Sequence, residues 1–177
     1  MSDVDRPEVI LVGPPGAGKS TVGALLAARL HVEFADADEL IEARAGRSIA
    51  DIFTTDGEPA FRALEEQAIA EALAAPGGVL AVGGGAVLSE RTRAALRGHR
   101  VAFLSVSMTE GMRRTGLSAA RPLLAGVNPR ATFKALLDAR LPLYREVATW
   151  EVATEASSPD EVADEVLAGL SAGRGAR

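Results

Sequence analysis

The chain has 177 residues, of which 47% are hydrophobic and 24% charged, and its formal net charge is −5. These figures fit one soluble globular domain over residues 1–177, and the acidic balance argues against a nucleic-acid binder. No cysteine is present, which excludes disulfides, thiolate nucleophiles, iron–sulfur clusters and cysteine-ligated zinc.

Strand-like and helix-like segments alternate along the chain. Residues 8–12 are a short β-branched run ending at Gly13 and read as a buried strand. A helix is expected over 20–30, with Val22, Leu25, Leu26 and Leu30 on one stripe. A short strand is expected at 32–34, then Asp36-Ala37-Asp38, then a helix over 38–45 that stops at Gly46. Ser48 and Asp51 have the spacing of a capping box and open another short helix. The longest helix is expected over 58–75, with Phe61, Leu64, Ala68 and Ala72 at helical spacing and Pro76-Gly77-Gly78 ending it. Residues 79–82 read as a second buried strand and run into Gly83-Gly84-Gly85. A helix over 91–97 and a third buried strand over 100–106 follow.

A short helix is expected over 109–115, then a loop over 116–129 rich in Gly, Pro, Ser and Asn. Residues 131–147 read as a long helix despite Pro142, a residue type that kinks or divides helices. Residues 149–153 suit an edge strand, and Ser158 caps a last helix running to Leu170, with a disordered tail over 171–177. Tyr144, Trp150, Met108 and Met112 read as packing residues, the methionines as core. His31 and His99 lie at element ends, too far apart for a zinc-binding HExxH site. No apolar run approaches the roughly 18 residues of a membrane span. The N-terminal residues lack a basic segment followed by an apolar one, so no signal peptide is expected and the cytoplasm is the expected location. Alternating elements without a linker imply an α/β layer structure built on a parallel sheet.

Gly13-Pro14-Pro15-Gly16-Ala17-Gly18-Lys19-Ser20-Thr21 matches the phosphate-binding pattern G-x-x-x-x-G-K-[ST], in the strand-to-helix context the motif requires. Gly16, Ala17, Gly18, Lys19, Ser20 and Thr21 would surround a nucleoside triphosphate with backbone N–H groups at a helix N-terminus. Lys19 is suited to the β- and γ-phosphates, and Ser20 to Mg²⁺. Lys19 and Lys134 are the two lysines among 19 basic residues, so a compact ammonium stands here in a chain that otherwise uses Arg.

Asp36 and Asp38 point to one side if the chain is still extended there. One acid is then suited to hold Mg²⁺ through water, and the other to orient an acceptor hydroxyl and take its proton. The plain alternative is that Asp38 caps the next helix. Gly83, Gly84 and Gly85 allow close approach of a ligand to the backbone, or form a simple turn. Arg62 precedes Glu65 and Glu66 by one helical turn, the spacing of a surface ion pair. Arg121, in the loop, is placed to close over a triphosphate as a lid residue, or is a solvated arginine, and the solvated reading applies also to Arg140.

Taken in order, these segments resemble the bacterial shikimate kinases, most closely those of actinobacteria. The matching stretches are the phosphate loop, Asp36-Ala37-Asp38, residues 46–53, residues 57–62 with Glu65, Gly83-Gly84-Gly85, residues 113–115, residues 121–124 and residues 140–144. The resemblance covers about residues 8–170. It implies transfer of the γ-phosphoryl group of ATP to the 3-hydroxyl of shikimate, in aromatic amino-acid biosynthesis. It also implies a three-layer αβα fold of the nucleoside-monophosphate-kinase type, with a five-stranded parallel sheet. A substrate-binding region is implied at about 36–65 and a lid at about 116–129.

Carried over by position, Asp38 would hold the acceptor hydroxyl and act as base. Arg62 and Arg140 would clamp the carboxylate, and Gly83, Gly84 and Gly85 would offer backbone contacts. Lys19 and Arg121 would bind phosphates, Ser20 would ligate Mg²⁺, and Asp36 would assist through water. Glu65 would steady Arg62. Arg114 and Pro159 would flank adenine. Ser157 departs from relatives that carry an arginine near the adenine. A monomer acting on small molecules is expected, with no nucleic-acid or membrane partner. The alternatives are another small-molecule kinase of this loop class, for gluconate or a nucleotide, and a non-catalytic nucleotide-gated binding protein. Shikimate-stimulated ADP release separates all three.

Overall fold

The computed structural model describes residues 7–115 and 128–175. Its centre is a five-stranded parallel sheet in the order β2-β3-β1-β4-β5. The strands are β1 (Val9–Val12), β2 (Phe34–Asp36), β3 (Val79–Ala81), β4 (Val101–Ser105) and β5 (Trp150–Ala153). The helices are α1 (Lys19–Leu30), α2 (Ala37–Ala45), α3 (Ile49–Asp56), α4 (Glu58–Ala74), α5 (Glu90–Leu96), α6 (Met108–Thr115), α7 (Pro129–Val147) and α8 (Pro159–Gly175). A single 3₁₀ turn over Ala86–Leu88 follows the triple glycine.

All four residues of β1 are buried, because the strand is covered on both faces. Its side chains alternate between two cores. Val9 and Leu11 meet Val22 and Leu26 of α1 and Val162 and Val166 of α8. Ile10 and Val12 meet Ile69 and Leu73 of α4, Leu96 of α5, and Tyr144 and Val147 of α7. The result is the three-layer αβα arrangement. A third, smaller core of Ile41, Ile52, Phe61 and Ala68 fastens α2 and α3 to α4, with Phe53 and Phe61 4.7 Å apart.

Several boundaries differ from the sequence reading. β2 begins at Phe34, not Val32, because its register on β3 pairs Phe34 with Val79 and Asp36 with Ala81. The Val32 N–H instead donates to Ala27 O at 3.0 Å and closes α1, with His31 left-handed at φ 57°. α7 starts at Pro129, with the Asn128 side chain accepting from the Ala131 N–H at 3.1 Å, and it continues through Pro142. The lid expected over 116–129 lies, as far as residue 127, outside the described residues. α8 opens with a reciprocal box, in which Ser158 N–H donates to Glu161 Oε2 and Glu161 N–H donates to Ser158 Oγ. It runs past Leu170 to Gly175, where a disordered tail was expected, because extending an established helix adds a hydrogen bond for each residue fixed. Met108 and Met112 are half-buried and contribute to none of the three cores, contrary to the core assignment.

Trp150, the chain's one tryptophan, packs against Gly169 of α8 so closely that a Cβ there would collide with the indole. Gly169→Ala should therefore destabilise the fold by about 1–3 kcal/mol and shift tryptophan emission. Unchanged melting temperature and spectrum would show that α8 moves away from β5 without cost.

Candidate active site

The carboxyl ends of β1, β2 and β3 meet at one cavity of about 330 Å³, the position where open parallel sheets bind ligands. β1 leads into the phosphate loop. Gly18 caps α1 in the left-handed region at φ 88°, a conformation that favours glycine. Gly16 lies so near α6 that a Cβ would stand 2.8 Å from the Gly111 carbonyl. The first turn of α1 carries no acidic side chain, so its N–H groups and dipole remain suited to an anion. Lys19 Nζ donates to Gly13 O at 2.7 Å and Pro14 O at 3.1 Å, which holds it across the loop. The Ala17 N–H turns back to Pro14 O at 3.2 Å.

Asp36 ends β2 and caps α2. Its Oδ1 accepts from the Asp38 N–H at 2.9 Å, and its Oδ2 accepts from Ser20 Oγ at 2.6 Å. Asp38 sits in the first turn of α2, so the chain is not still extended there and the condition for the two acids to share one side is not met. The helix is capped by Asp36, which removes capping as an explanation for Asp38. Both acids line the cavity with Lys19, Ser20, Gly83 and Gly84.

The glycines after β3 leave room for charged groups. A Cβ on Gly83 would lie 2.7 Å from Glu65 Oε2 and 3.1 Å from Asp38 Oδ1, and one on Gly85 would collide with the Arg62 guanidinium. Arg62 Nη1 donates to Glu65 Oε1 at 2.8 Å, and Nε and Nη2 reach Glu58 Oε1 at 3.3 and 3.2 Å. The pair is no surface ion pair: the Glu65 side chain is 3% exposed and that of Arg62 18%. Glu65 Oε2 has no hydrogen-bond partner among the described residues. Burial pushes the Glu65 carboxyl above the usual range, Arg62 and Arg140 pull it down, and Asp38 pushes it up. Arg140, on α7, is buried rather than solvated, and its pKa is lowered chiefly by that burial.

Arg114 closes the other end of the cavity. Its Nη1 donates to Gly16 O at 3.2 Å and to Thr154 Oγ1 at 3.1 Å, and its Nη2 to Thr154 O at 3.0 Å. Thr154, which the sequence did not single out, is anchored on Ser105 O at 2.9 Å. Pro159 is exposed at the start of α8 and does not line the cavity. Arg121 lies outside the described residues. Larger hollows of about 680 and 450 Å³ lie elsewhere and lack Lys19 and both aspartates. Tyr144 packs as expected, on Phe103 at 5.0 Å, but its hydroxyl also donates to Gly84 O at 2.6 Å. Its sequence signals are the spacing of four from Arg140 and its place in the matching stretch 140–144.

The shikimate kinase family model matches residues 15–171 of the chain. The chain belongs to the shikimate kinase family. It is an ATP-dependent phosphotransferase that acts on a hydroxyl of shikimate. It is 65% identical over 170 residues to the shikimate kinase of Saccharopolyspora erythraea, covering 96% of this chain and 97% of that one. The Thermobifida fusca shikimate kinase is 55% identical, over 90% of this chain and 92% of its own. Among solved structures, shikimate kinase from Acinetobacter baumannii in complex with shikimate superposes with a TM-score of 0.86 at 37% identity, covering 93% of this chain and 92% of that one. A Sinorhizobium meliloti gluconokinase, at 21% identity and a TM-score of 0.56, covers 94% of this chain and 93% of its own, and shares the fold alone.

Because its pKa is raised in the folded chain, Glu65 makes stability fall as pH rises from the unfolded carboxyl value of ~4.3. Glu65→Gln removes that dependence. Thermal melts of the two proteins from about pH 4 to 7 should show the variant gaining on the parent as pH rises. A constant difference would show that Glu65 titrates as an ordinary carboxyl.

Proposed function

We propose that the cavity performs the family reaction at the 3-hydroxyl of shikimate, giving shikimate 3-phosphate and ADP. The observation that carries this is the position of Asp38. Its carboxylate stands between the phosphate loop on one side and the Glu65–Arg62 pair on the other. An acceptor fixed by a carboxylate at one end therefore presents a hydroxyl to Asp38 and to the γ-phosphate together.

Arg62 and Arg140 hold the acceptor's carboxylate by charge-assisted hydrogen bonds. Gly83, Gly84 and Gly85 let the ring approach the backbone. Asp38 accepts the proton of the 3-hydroxyl as that oxygen forms its bond to the γ-phosphorus. The bond from that phosphorus to the β,γ-bridging oxygen breaks, and ADP leaves. Lys19 neutralises charge on the β- and γ-phosphates, and Arg121 is assigned the same task from the sequence. Arg114 borders the adenine end, and Pro159 is assigned beside it.

Ser20 Oγ and Asp36 Oδ2 are hard oxygen donors 2.6 Å apart beside the phosphate loop, a donor set that suits Mg²⁺. Ser20 would hold the ion and Asp36 would assist through water, and the ion would offset phosphate charge during transfer. We place the protein in the cytoplasm as a monomer, without a nucleic-acid or membrane partner. The net charge of −5 is unfavourable to nucleic-acid binding.

ADP release from Mg-ATP should be stimulated by shikimate and not by gluconate or nucleoside monophosphates. Lys19→Met should lower turnover by at least about 100-fold with the fold intact. Near-normal turnover would remove Lys19 from the mechanism. Arg62→Ala should weaken shikimate use by about 1.5–3 kcal/mol while leaving ATP affinity nearly unchanged. Equal loss for both ligands would make Arg62 a structural residue.

A further inference from the structure

Tyr144 stands between two groups assigned above to the acceptor. Its side chain is buried, with 1% exposure, and its ring stacks on Phe103. A phenyl ring would satisfy that packing. The hydroxyl has a separate task, since it donates to the Gly84 carbonyl at 2.6 Å across 60 residues of sequence. Arg140 lies one turn earlier on α7 and is 6% exposed, and the neighbouring phenol favours its charged form against the cost of burial. The spacing of four puts both side chains on one face of the helix.

A phenol has one proton to give and lone pairs to receive. The proton goes to Gly84, which leaves the lone pairs for the Arg140 guanidinium. Burial pushes the Tyr144 pKa up to about 12, so the hydroxyl keeps its proton and its direction at ordinary pH. Gly85, next in the chain, packs on the Arg62 guanidinium. Both arginines are thus referred to the same three-glycine segment, one directly and one through Tyr144.

We propose that Tyr144 is a positioning residue for the acceptor's carboxylate, its hydroxyl holding the Arg140 guanidinium and the Gly84 backbone in one fixed relation. It touches neither substrate and acts through Arg140. The proposal rests on the assignment of Arg140 and Gly83–Gly85 to shikimate.

Tyr144→Phe keeps the ring and removes the hydroxyl. The KM for shikimate should rise about tenfold, while kcat and the KM for ATP stay within about twofold and the melting temperature barely changes. In an Arg140→Met background the same substitution should cost clearly less, because the group it positions is gone. A wild-type KM in Tyr144→Phe would overturn the proposal. So would an equal rise in both KM values, or full additivity with Arg140→Met.

Tyr144 is the chain's one tyrosine, so carbon-13 tyrosine labelling gives a single NMR signal from unaltered protein. That signal should move when shikimate is added without nucleotide. A signal unmoved at saturating shikimate would overturn the proposal even if the variant failed to fold. Absence of shikimate-dependent turnover in the unaltered protein would overturn the acceptor assignment and the proposal with it. That result is read before any substitution is made, so the two failures are distinct.

Discussion

The carboxylate of Asp36 is bonded through both oxygens, and the site is organised around it. Oδ1 accepts from the Asp38 N–H and caps α2, while Oδ2 accepts from Ser20 Oγ at the start of α1. One side chain thereby joins the end of β2 to the first turns of two helices. The cap contributes about 1 kcal/mol by the usual measure, but its larger effect is geometric. It fixes where α2 begins, and so fixes the direction of the Asp38 side chain over the cavity. It also holds Ser20 facing the acid with which it would share a cation.

Around that junction the charged groups are spaced by glycine. Gly83 leaves room for Glu65 and Asp38, and Gly85 leaves room for Arg62. Two carboxylates and Arg62 can then be concentrated beside the phosphate loop without a side chain separating them. Burial makes this costly for Glu65, whose carboxyl is pushed up although Arg62 bonds to it. The arrangement is what a small polar acid as acceptor requires, since opposite charges fixed in advance need not reorganise during transfer.

The sheet carries these groups to the same place. β1, β2 and β3 run parallel with paired registers, so the phosphate loop, Asp36 and the triple glycine all leave the sheet at one edge. The cores on the two faces are ordinary aliphatic packing, and they hold α1 on one side and α4 and α7 on the other. Arg62, on α4, approaches Gly85 from that second face, and Arg140 lies on α7 in the same layer. The proximity of Arg62 to the glycines is a product of layer packing, not of local sequence.

Much of this was legible in the chain itself. The phosphate loop, the buried strands, the capping residues Ser48 and Ser158 and the order of elements are local features, decided by residue type and spacing over a few positions. The family resemblance added the acceptor and the roles proposed for Asp38, Arg62 and Arg140. Other features were not legible, because they depend on contacts between distant segments. The pattern of Val32 to Phe34 suits a strand as well as Phe34 to Asp36 does, and only pairing with Val79 to Ala81 selects the second. Arg62 and Glu65 read equally as a surface pair until α4 is packed against the glycines. Tyr144 reads as core, and its bond to Gly84 appears only when α7 covers the end of β3. The sequence by itself determined the nucleotide loop, the class of fold and the order of its parts, because each is set by neighbours along the chain. Tertiary structure alone decided which charges are buried and which backbone atoms they meet, because sheet register and helix packing join residues far apart in the chain, Arg114 and Gly16 by 98 positions.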